Sequence, residues 1–122
     1  MHSYLTLIII LTSVMDQFTS HRQLLIFAKE QNPKLVTEQI NLLNQEAEGV
    51  KERDIKIGVV EKASPLYKKY KVDPSQFTVV LVGKDQTEKY RKNTIISAAD
   101  LFALIDAMPM RKIEMGKKSG LK

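Results

Sequence analysis

The sequence predicts an α/β fold in which helices cover both faces of a mixed four-stranded sheet, with the element order βαβαββα. Short apolar runs bounded by polar residues alternate with longer segments of helical spacing, a pattern typical of strands joined by helical crossovers. A polar turn separates the last two strand-like runs and predicts an antiparallel hairpin. Because crossovers between parallel strands are right-handed, one mixed sheet accommodates this order.

The first strand and helix follow from the segment between Arg22 and Gly49. Residues Arg22–Ala28 contain four consecutive apolar side chains and predict a buried strand. Asn32 is a favourable N-cap, and Pro33 suits the first helical position because its missing N–H would have no partner there. The helix is expected to continue to about Gly49, because apolar residues recur at intervals of three and four: Val36, Ile40, Leu43, Ala47 and Val50.

A second strand and a short helix come next. Asp54–Glu61 alternates apolar and polar residues, which predicts a strand. Its apolar side is formed by Ile55, Ile57 and Val59. Because a helix connects this strand to the first, the two are expected to be parallel. Ser64 and Pro65 repeat the capping residue and proline of the first helix and predict a second, short helix.

The carboxyl-terminal part predicts a hairpin and a last helix. Phe77–Val82 is an apolar, β-branched run, and a polar turn at residues 83–86 leads into Glu88–Lys92. Ser97, followed by Asp100 three residues later, resembles a capping box and predicts the start of a helix. The apolar face of this helix is formed by Leu101, Phe102, Leu104 and Ile105.

Two flanking segments are expected to lie outside the domain, which spans residues 21–109. Pro109 is expected to end the last helix, so that residues 110–122 form a basic tail. Residues 1–20 are expected to be a signal peptide or leader. Their uncharged run Tyr4–Met15 has twelve residues, fewer than the ~20 of a membrane-spanning helix and about the length of a signal-peptide core.

Export is the leading interpretation of this leader, and it places the protein outside the cell or in the periplasm. Two alternatives stay open, because little basic charge precedes the run and no small-x-small cleavage site follows it. The run is rich in Ile and Thr, so it could be an extra strand of a cytoplasmic protein. It could also be an uncleaved membrane anchor.

The composition excludes several kinds of chemistry. The 122-residue chain has no cysteine, which excludes disulfides, thiolate catalysis, Cys-ligated zinc and iron–sulfur clusters. Five basic residues against one glutamate in the last twelve residues account for +4 of the net charge of +5, so nucleic-acid binding is not favoured. No phosphate-binding glycine motif occurs, and His2 and His21 lack metal-ligand spacing. We therefore expect neither a cofactor nor a metal.

The predicted order of elements is that of the thioredoxin core, and four segments resemble one group within it. These segments are RQLLIFA (22–28), ERDIKIGVVE (52–61), FTVVLVGKD (77–85) and LFALIDAMPMRKIEM (101–115). They resemble a peroxiredoxin-like family of bacterial domains of unknown function. The same domain occurs in animal extracellular-matrix proteins of the sushi-repeat-containing and coiled-coil-domain-containing kinds. The resemblance implies a thioredoxin-like fold and a frequent extracellular setting, and it implies no established reaction.

The resemblance also locates where a thiol site would lie. The two cysteine positions of a thioredoxin motif fall on Gln31 and Lys34, with Asn32 and Pro33 between them. Phe77 occupies the position at which thioredoxins place a cis-proline. Because neither glutamine nor lysine is a redox nucleophile, the resemblance implies the scaffold without its thiol chemistry.

The loop after the first strand and the loop before the third are expected to meet at one end of the sheet. This end is the candidate binding surface, to which two arginines could add an anion contact. The alternative is a capped helix end, a core phenylalanine and two solvated arginines. The candidate residues are Lys29, Gln31, Asn32, Lys34, Phe77, Thr78, Arg91 and Arg111.

The sequence therefore predicts a non-catalytic, cysteine-free, thioredoxin-like interaction or structural domain that is exported. Its expected partner is an unidentified protein or extracellular ligand. The alternative function is an oxidoreductase-like or other enzyme that uses a non-thiol site on the same scaffold. Serine hydrolysis is excluded, because no histidine is available to activate a serine.

Overall fold

The computed structural model describes residues 19–28 and 33–118. Its elements are, in chain order, β1 (Arg22–Phe27), α1 (Pro33–Asn44), α2 (Ala47–Glu52), β2 (Ile55–Val60), α3 (Leu66–Lys69), β3 (Thr78–Val82), β4 (Glu88–Lys92), α4 (Ala98–Asp106) and α5 (Pro109–Lys118). Residues 1–18 of the predicted leader lie outside the described residues.

The strands form one mixed sheet in the order β2-β1-β3-β4. β1 runs parallel to β2, with Arg22 opposite Ile55, as the helical crossover between them requires. β3 is antiparallel to both β1 and β4. The turn between β3 and β4 is closed by the Gly83 N–H, which donates to the Thr87 carbonyl at 2.9 Å. The predicted α/β class and mixed four-stranded sheet are confirmed.

Alternate side chains of β1 enter two cores, one on each face of the sheet. Leu24 and Ile26 lie in the larger core, which α1, α2 and α4 cover. Leu25 and Phe27 lie in the smaller core beneath α3, where the Phe27 ring meets the Tyr67 ring edge-on at a centroid distance of 4.9 Å. The period of two along a strand explains why four consecutive apolar residues are all buried. Helices on both faces are thus confirmed.

Short polar side chains start the helices that the sequence predicts. The Ser97 Oγ accepts a hydrogen bond from the Asp100 backbone N–H at 3.1 Å, at the start of α4. The Ser64 Oγ accepts one from the Leu66 N–H at 3.1 Å, in the turn that leads into α3. Each bond satisfies a backbone donor that has no partner within its own helix.

The first predicted helix is interrupted, so the expectation of one continuous helix to about Gly49 is wrong. α1 ends at Asn44, residues 45 and 46 form a turn, and α2 begins at Ala47. A Cβ atom at Gly49 would come within 2.6 Å of the Phe102 ring. The turn redirects the chain, and the missing side chain of Gly49 lets α2 pack closely against α4.

Pro109 begins a helix at the place where the sequence predicts one to end. Proline suits this first position because its missing N–H would have no helical partner. The helix, α5, packs on the domain through Arg111, which is only 1% exposed. Residues 110–118 are therefore not a tail, and the predicted domain boundary at residue 109 is wrong. The buried side of α5 is charged, which is why the apolar pattern did not indicate a helix.

No helix in residues 19–28 and 33–118 is long and apolar enough to cross a membrane. The Thr19 N–H donates to the Lys84 carbonyl at 2.8 Å, which joins the segment before β1 to the turn between β3 and β4.

Candidate functional site

The strand ends that flank the two loops of the predicted binding surface lie side by side at one end of the sheet. Phe27, the last residue of β1, lies opposite Thr78, the first residue of β3, and α1 begins at Pro33. The Thr78 hydroxyl is buried and accepts a hydrogen bond from the side-chain amide of Asn93 at 3.0 Å. This end carries the carboxyl ends of the parallel strands, where open α/β sheets place their binding sites.

Only part of the candidate surface can be placed in space. Lys29, Gln31 and Asn32 lie outside the described residues. Lys34 is exposed on the first turn of α1. Thr78 is buried, so it offers little surface of its own.

Phe77 is not an exposed ring at this surface. It is 4% exposed and belongs to the larger core, as in the core-phenylalanine alternative. The described residues contain no cis peptide bond, so this position also lacks the backbone geometry of the thioredoxin cis-proline. An aromatic anchor for a partner is therefore not available at residue 77.

Arg91 fastens the hairpin to the turn after α3. Its Nε and Nη2 atoms each donate to the Glu88 carboxylate at 2.7 Å. The guanidinium also donates to the carbonyls of Tyr70 and Lys71. Because these hydrogen bonds occupy its donors, Arg91 joins β4 to the turn after α3 and is not an open anion site.

Arg111 lies at the opposite end of the sheet from the predicted surface. α5 packs near the start of β1, and the buried Arg111 guanidinium donates to the Glu52 carboxylate at 3.0 Å and to the Asp106 carboxylate at 3.1 Å. The expectation of a solvated or anion-binding Arg111 is therefore wrong. Burial would be costly for this cation without such partners.

Glu114, one turn further along α5, holds two cations from different parts of the chain. The Arg22 guanidinium donates to both of its carboxylate oxygens at 3.2 Å, and Lys84 Nζ donates at 2.8 Å. Lys84 Nζ also donates to the Asp54 carboxylate at 2.9 Å. Arg22 is 1% exposed, so Glu114 neutralises a charge that water barely reaches.

Arg53 connects this cluster to α4. Its Nε and Nη2 atoms donate to the two carboxylate oxygens of Asp106 at 3.0 and 2.9 Å. Its guanidinium carbon lies 4.0 Å from the centroid of the Phe102 ring, within the range of a cation–π contact. We call the whole set the ion-pair network: Arg22, Glu52, Arg53, Asp54, Lys84, Asp106, Arg111 and Glu114.

The ion-pair network is balanced and leaves no reactive group. It contains four basic and four acidic side chains, so its formal charge is zero. Within the described part of the chain, every buried side-chain nitrogen and oxygen has a hydrogen-bond partner. The same residues contain no group of three or more His, Cys, Asp or Glu side chains that could hold a metal. The network therefore pairs charges from distant parts of the chain, and these residues offer neither a free base nor a metal site.

The electrostatics of the carboxyl groups agree with this structural role. Burial by itself raises the pKa of Glu114, but hydrogen bonds and charges from Lys84 and Arg22 outweigh burial and hold the pKa below its ordinary 4.5. The hydrogen bond from Arg53 is the largest cause that lowers the pKa of Asp106. A general acid needs a pKa raised toward the working pH, so neither group is suited to that role. The pKa values of three other carboxyl groups shift downward too: Asp73, Asp85 and Glu88.

Comparison with known proteins adds a family match over the carboxyl-terminal half. A family model described as a domain of unknown function (DUF4174) matches residues 59–114. The match begins in β2 and ends at Glu114, so it includes most of α5. No curated protein matches the chain significantly.

Two similar solved structures are malarial proteins. One is thioredoxin-2, described as a component of the malaria parasite protein secretion machinery. Its sequence is 26% identical and the TM-score is 0.54, and the match covers 72% of this chain and 84% of the thioredoxin-2 chain. The other is described as a malarial protein and is 28% identical, with a TM-score of 0.52. The match covers 71% of this chain and 96% of the malarial chain. Together with the sheet order, these similarities show that the cysteine-free chain has a thioredoxin-like fold.

Proposed function

We propose that this chain is a non-catalytic thioredoxin-like domain that acts as an interaction or structural module. The observation that carries the proposal is the absence of cysteine from all 122 residues. Disulfide exchange and thiol peroxidation both begin with attack by a thiolate, so neither reaction has its nucleophile here. The scaffold is left with surfaces for binding.

The geometry of the described residues supports a binding role over a non-thiol enzyme. At the end of the sheet where a thiol site would lie, Phe77 is in the core and Thr78 is buried and hydrogen-bonded to Asn93. At the other end the ion-pair network neutralises its own charges. Among the candidate-surface residues that the structure describes, Lys34 is exposed on the first turn of α1 and is placed to meet a partner's polar groups.

The full chain is expected to show no turnover above buffer in disulfide-reduction and peroxide-consumption assays. A thioredoxin assayed in parallel establishes sensitivity, and the double variant Gln31→Cys with Lys34→Cys is a matched control that adds two thiols to the same scaffold. Robust turnover by the wild-type chain would overturn the proposal. So would turnover of a metabolite that Lys34→Ala abolishes, since this would identify an enzyme with a non-thiol site.

We also propose that the protein is exported and that its leader is removed. The uncharged run Tyr4–Met15 supports export, because it has the length of a signal-peptide core. A similar protein, thioredoxin-2, is described as a component of a protein secretion machinery. Cleavage before Thr19 would preserve every contact described above, including the bond from Thr19 to Lys84. A pull-down from the native envelope or medium would then identify the protein or extracellular ligand bound.

The protein is expected to be recovered from the medium or envelope. Mass spectrometry of each cell fraction should find its amino terminus between residues 16 and 19. An intact Met1 in the membrane fraction would instead indicate an anchor. An intact Met1 in the cytosol would contradict export and favour the interpretation of this run as an extra strand.

A further inference from the structure

The two edges of the sheet differ in their protection against pairing with another chain. β4, at one edge, has charged side chains at four of its five positions: Glu88, Lys89, Arg91 and Lys92. β2, at the other edge, reads IKIGVV, and Lys56 is its one charged residue. Charged side chains on an edge strand discourage the addition of a further strand. β4 has this protection, and β2 lacks it.

In the part of the chain that the structure describes, the outer edge of β2 is also unpaired. Among the described residues β2 pairs with β1 on one side and with no strand on the other. Val59 is 49% exposed, although Ile55 on the same side of the strand is only 7% exposed. No atom lies within 4 Å of a Cβ placed at Gly58, so the opposite side of the strand is open there as well. An apolar edge of this kind is a site for strand addition.

A hollow beside the start of β2 could receive an aliphatic side chain. It has a volume of about 390 Å³, and its apolar lining comes from Leu43, Ala47, Val50 and Ile55. It lies on the α1 and α2 side of the sheet, which is also the side of Val59, because residues two and four apart along a strand share a face. A second strand running antiparallel along β2 would bring its own residues over this hollow.

We propose that two copies of this chain pair through their β2 edges, antiparallel about a twofold axis at Ile57. In this register Ile55 lies opposite Val59 of the second copy, and Lys56 lies opposite Gly58 of the second copy. A twofold axis perpendicular to the sheet keeps each face on the same side, so each exposed Val59 meets the hollow beside the other Ile55. The two four-stranded sheets become one continuous sheet.

The charge pattern favours a second copy over other occupants. In the register about Ile57, no two charged side chains lie directly opposite each other, and opposed like charges would be destabilising. The strand is therefore complementary to itself. This inference is independent of the proposed function, because a dimer could form whether or not the domain catalyses a reaction.

Substitutions at Gly58 test the pairing with little effect on the fold, because a side chain there has open space. Gly58→Lys places a lysine opposite Lys56 of the second copy, twice per dimer, and is expected to raise the dimer Kd about two- to thirtyfold. Gly58→Glu places opposite charges there and is expected to lower the Kd. Gly58→Thr, a neutral control that favours strands, is expected to leave the dimer intact. Adding Lys56→Glu to Gly58→Lys is expected to restore pairing.

The dissociation constants are measured by sedimentation equilibrium on the full chain, and mass spectrometry identifies the amino terminus of each preparation. A wild-type chain that stays monomeric at every concentration would overturn the proposal; if residues 4–15 are retained in that monomer, they are the alternative occupant of the edge. A dimer whose Kd is unchanged by Gly58→Lys would overturn it too, since the copies would then meet through another surface.

Discussion

Replacing Glu114 with glutamine is expected to lower the free energy of unfolding by about 2–4 kcal/mol, at or just below the lower end of the range of about 3–5 kcal/mol for breaking a buried ion pair. The variant removes the charge that neutralises Arg22, which is 1% exposed and cannot turn to water. The expected loss is moderated because Arg22 keeps a hydrogen bond to the Arg53 carbonyl at 2.9 Å and Lys84 keeps Asp54. Chemical denaturation of both chains measures the difference.

Glu88→Gln is the matched control for this loss. Glu88 pairs with Arg91 on the exposed edge strand β4, where the pair is solvated, so the expected effect is about 1 kcal/mol or less. Equal effects of the two substitutions would show that the ion-pair network contributes no more than a surface pair.

The stabilising effect of Glu114 is also expected to depend on pH. The pKa of Glu114 is lower in the folded protein than its ordinary 4.5, so its contribution is complete above that value and is lost as the pH falls through the lower, folded value. The stability difference between wild type and Glu114→Gln should therefore shrink below about pH 4.5. A difference that grows in acid would contradict the assigned direction of the pKa shift.

Gln39→Met is expected to lower the free energy of unfolding by about 2–6 kcal/mol, since it leaves two buried backbone groups without hydrogen-bond partners at about 1–3 kcal/mol each. The Gln39 side chain is fully buried in α1, where its Nε2 donates to the Ile96 carbonyl at 2.9 Å and its Oε1 accepts from the Ile96 N–H at 2.8 Å. Methionine fills the same space and favours a helix, but it can make neither bond. Denaturation curves measure the loss, and hydrogen exchange at the Ile96 amide should become faster.

Glu38→Met provides the comparison within the same helix. Glu38 is exposed on α1, so the substitution is expected to stay within about 0.5 kcal/mol. A similarly small loss for Gln39→Met would mean that the protein relaxes to give Ile96 new partners.

Much of the fold was predictable from short stretches of sequence, because the signals involved are local. Apolar runs indicated the strands, and their order with the intervening helices indicated a mixed sheet. The Ser97 cap and the proline at the start of α1 were predicted from residue type and position. The interruption between α1 and α2 was not predicted, because the apolar residues keep their helical spacing from Val36 to Val50 across the turn.

The candidate site was less predictable. The side-by-side position of Phe27 and Thr78 followed from the order of the strands. The sequence left open whether Phe77 was an exposed anchor or part of the core, and burial beside Leu24 and Ile26 settled it. Arg111 was assigned to a tail, because Pro109 was expected to end the last helix.

By itself the sequence determined the class of fold and, through the absence of cysteine, the thiol chemistry that this protein lacks. Only the tertiary structure decided which charged residues are buried. Arg22 and Glu114 stand ninety-two positions apart, and Arg111 and Glu52 fifty-nine. A lysine or arginine has the same local signature whether it faces water or a carboxylate. Burial of a charge requires a partner brought by a distant part of the chain, so it is a property of the assembled fold.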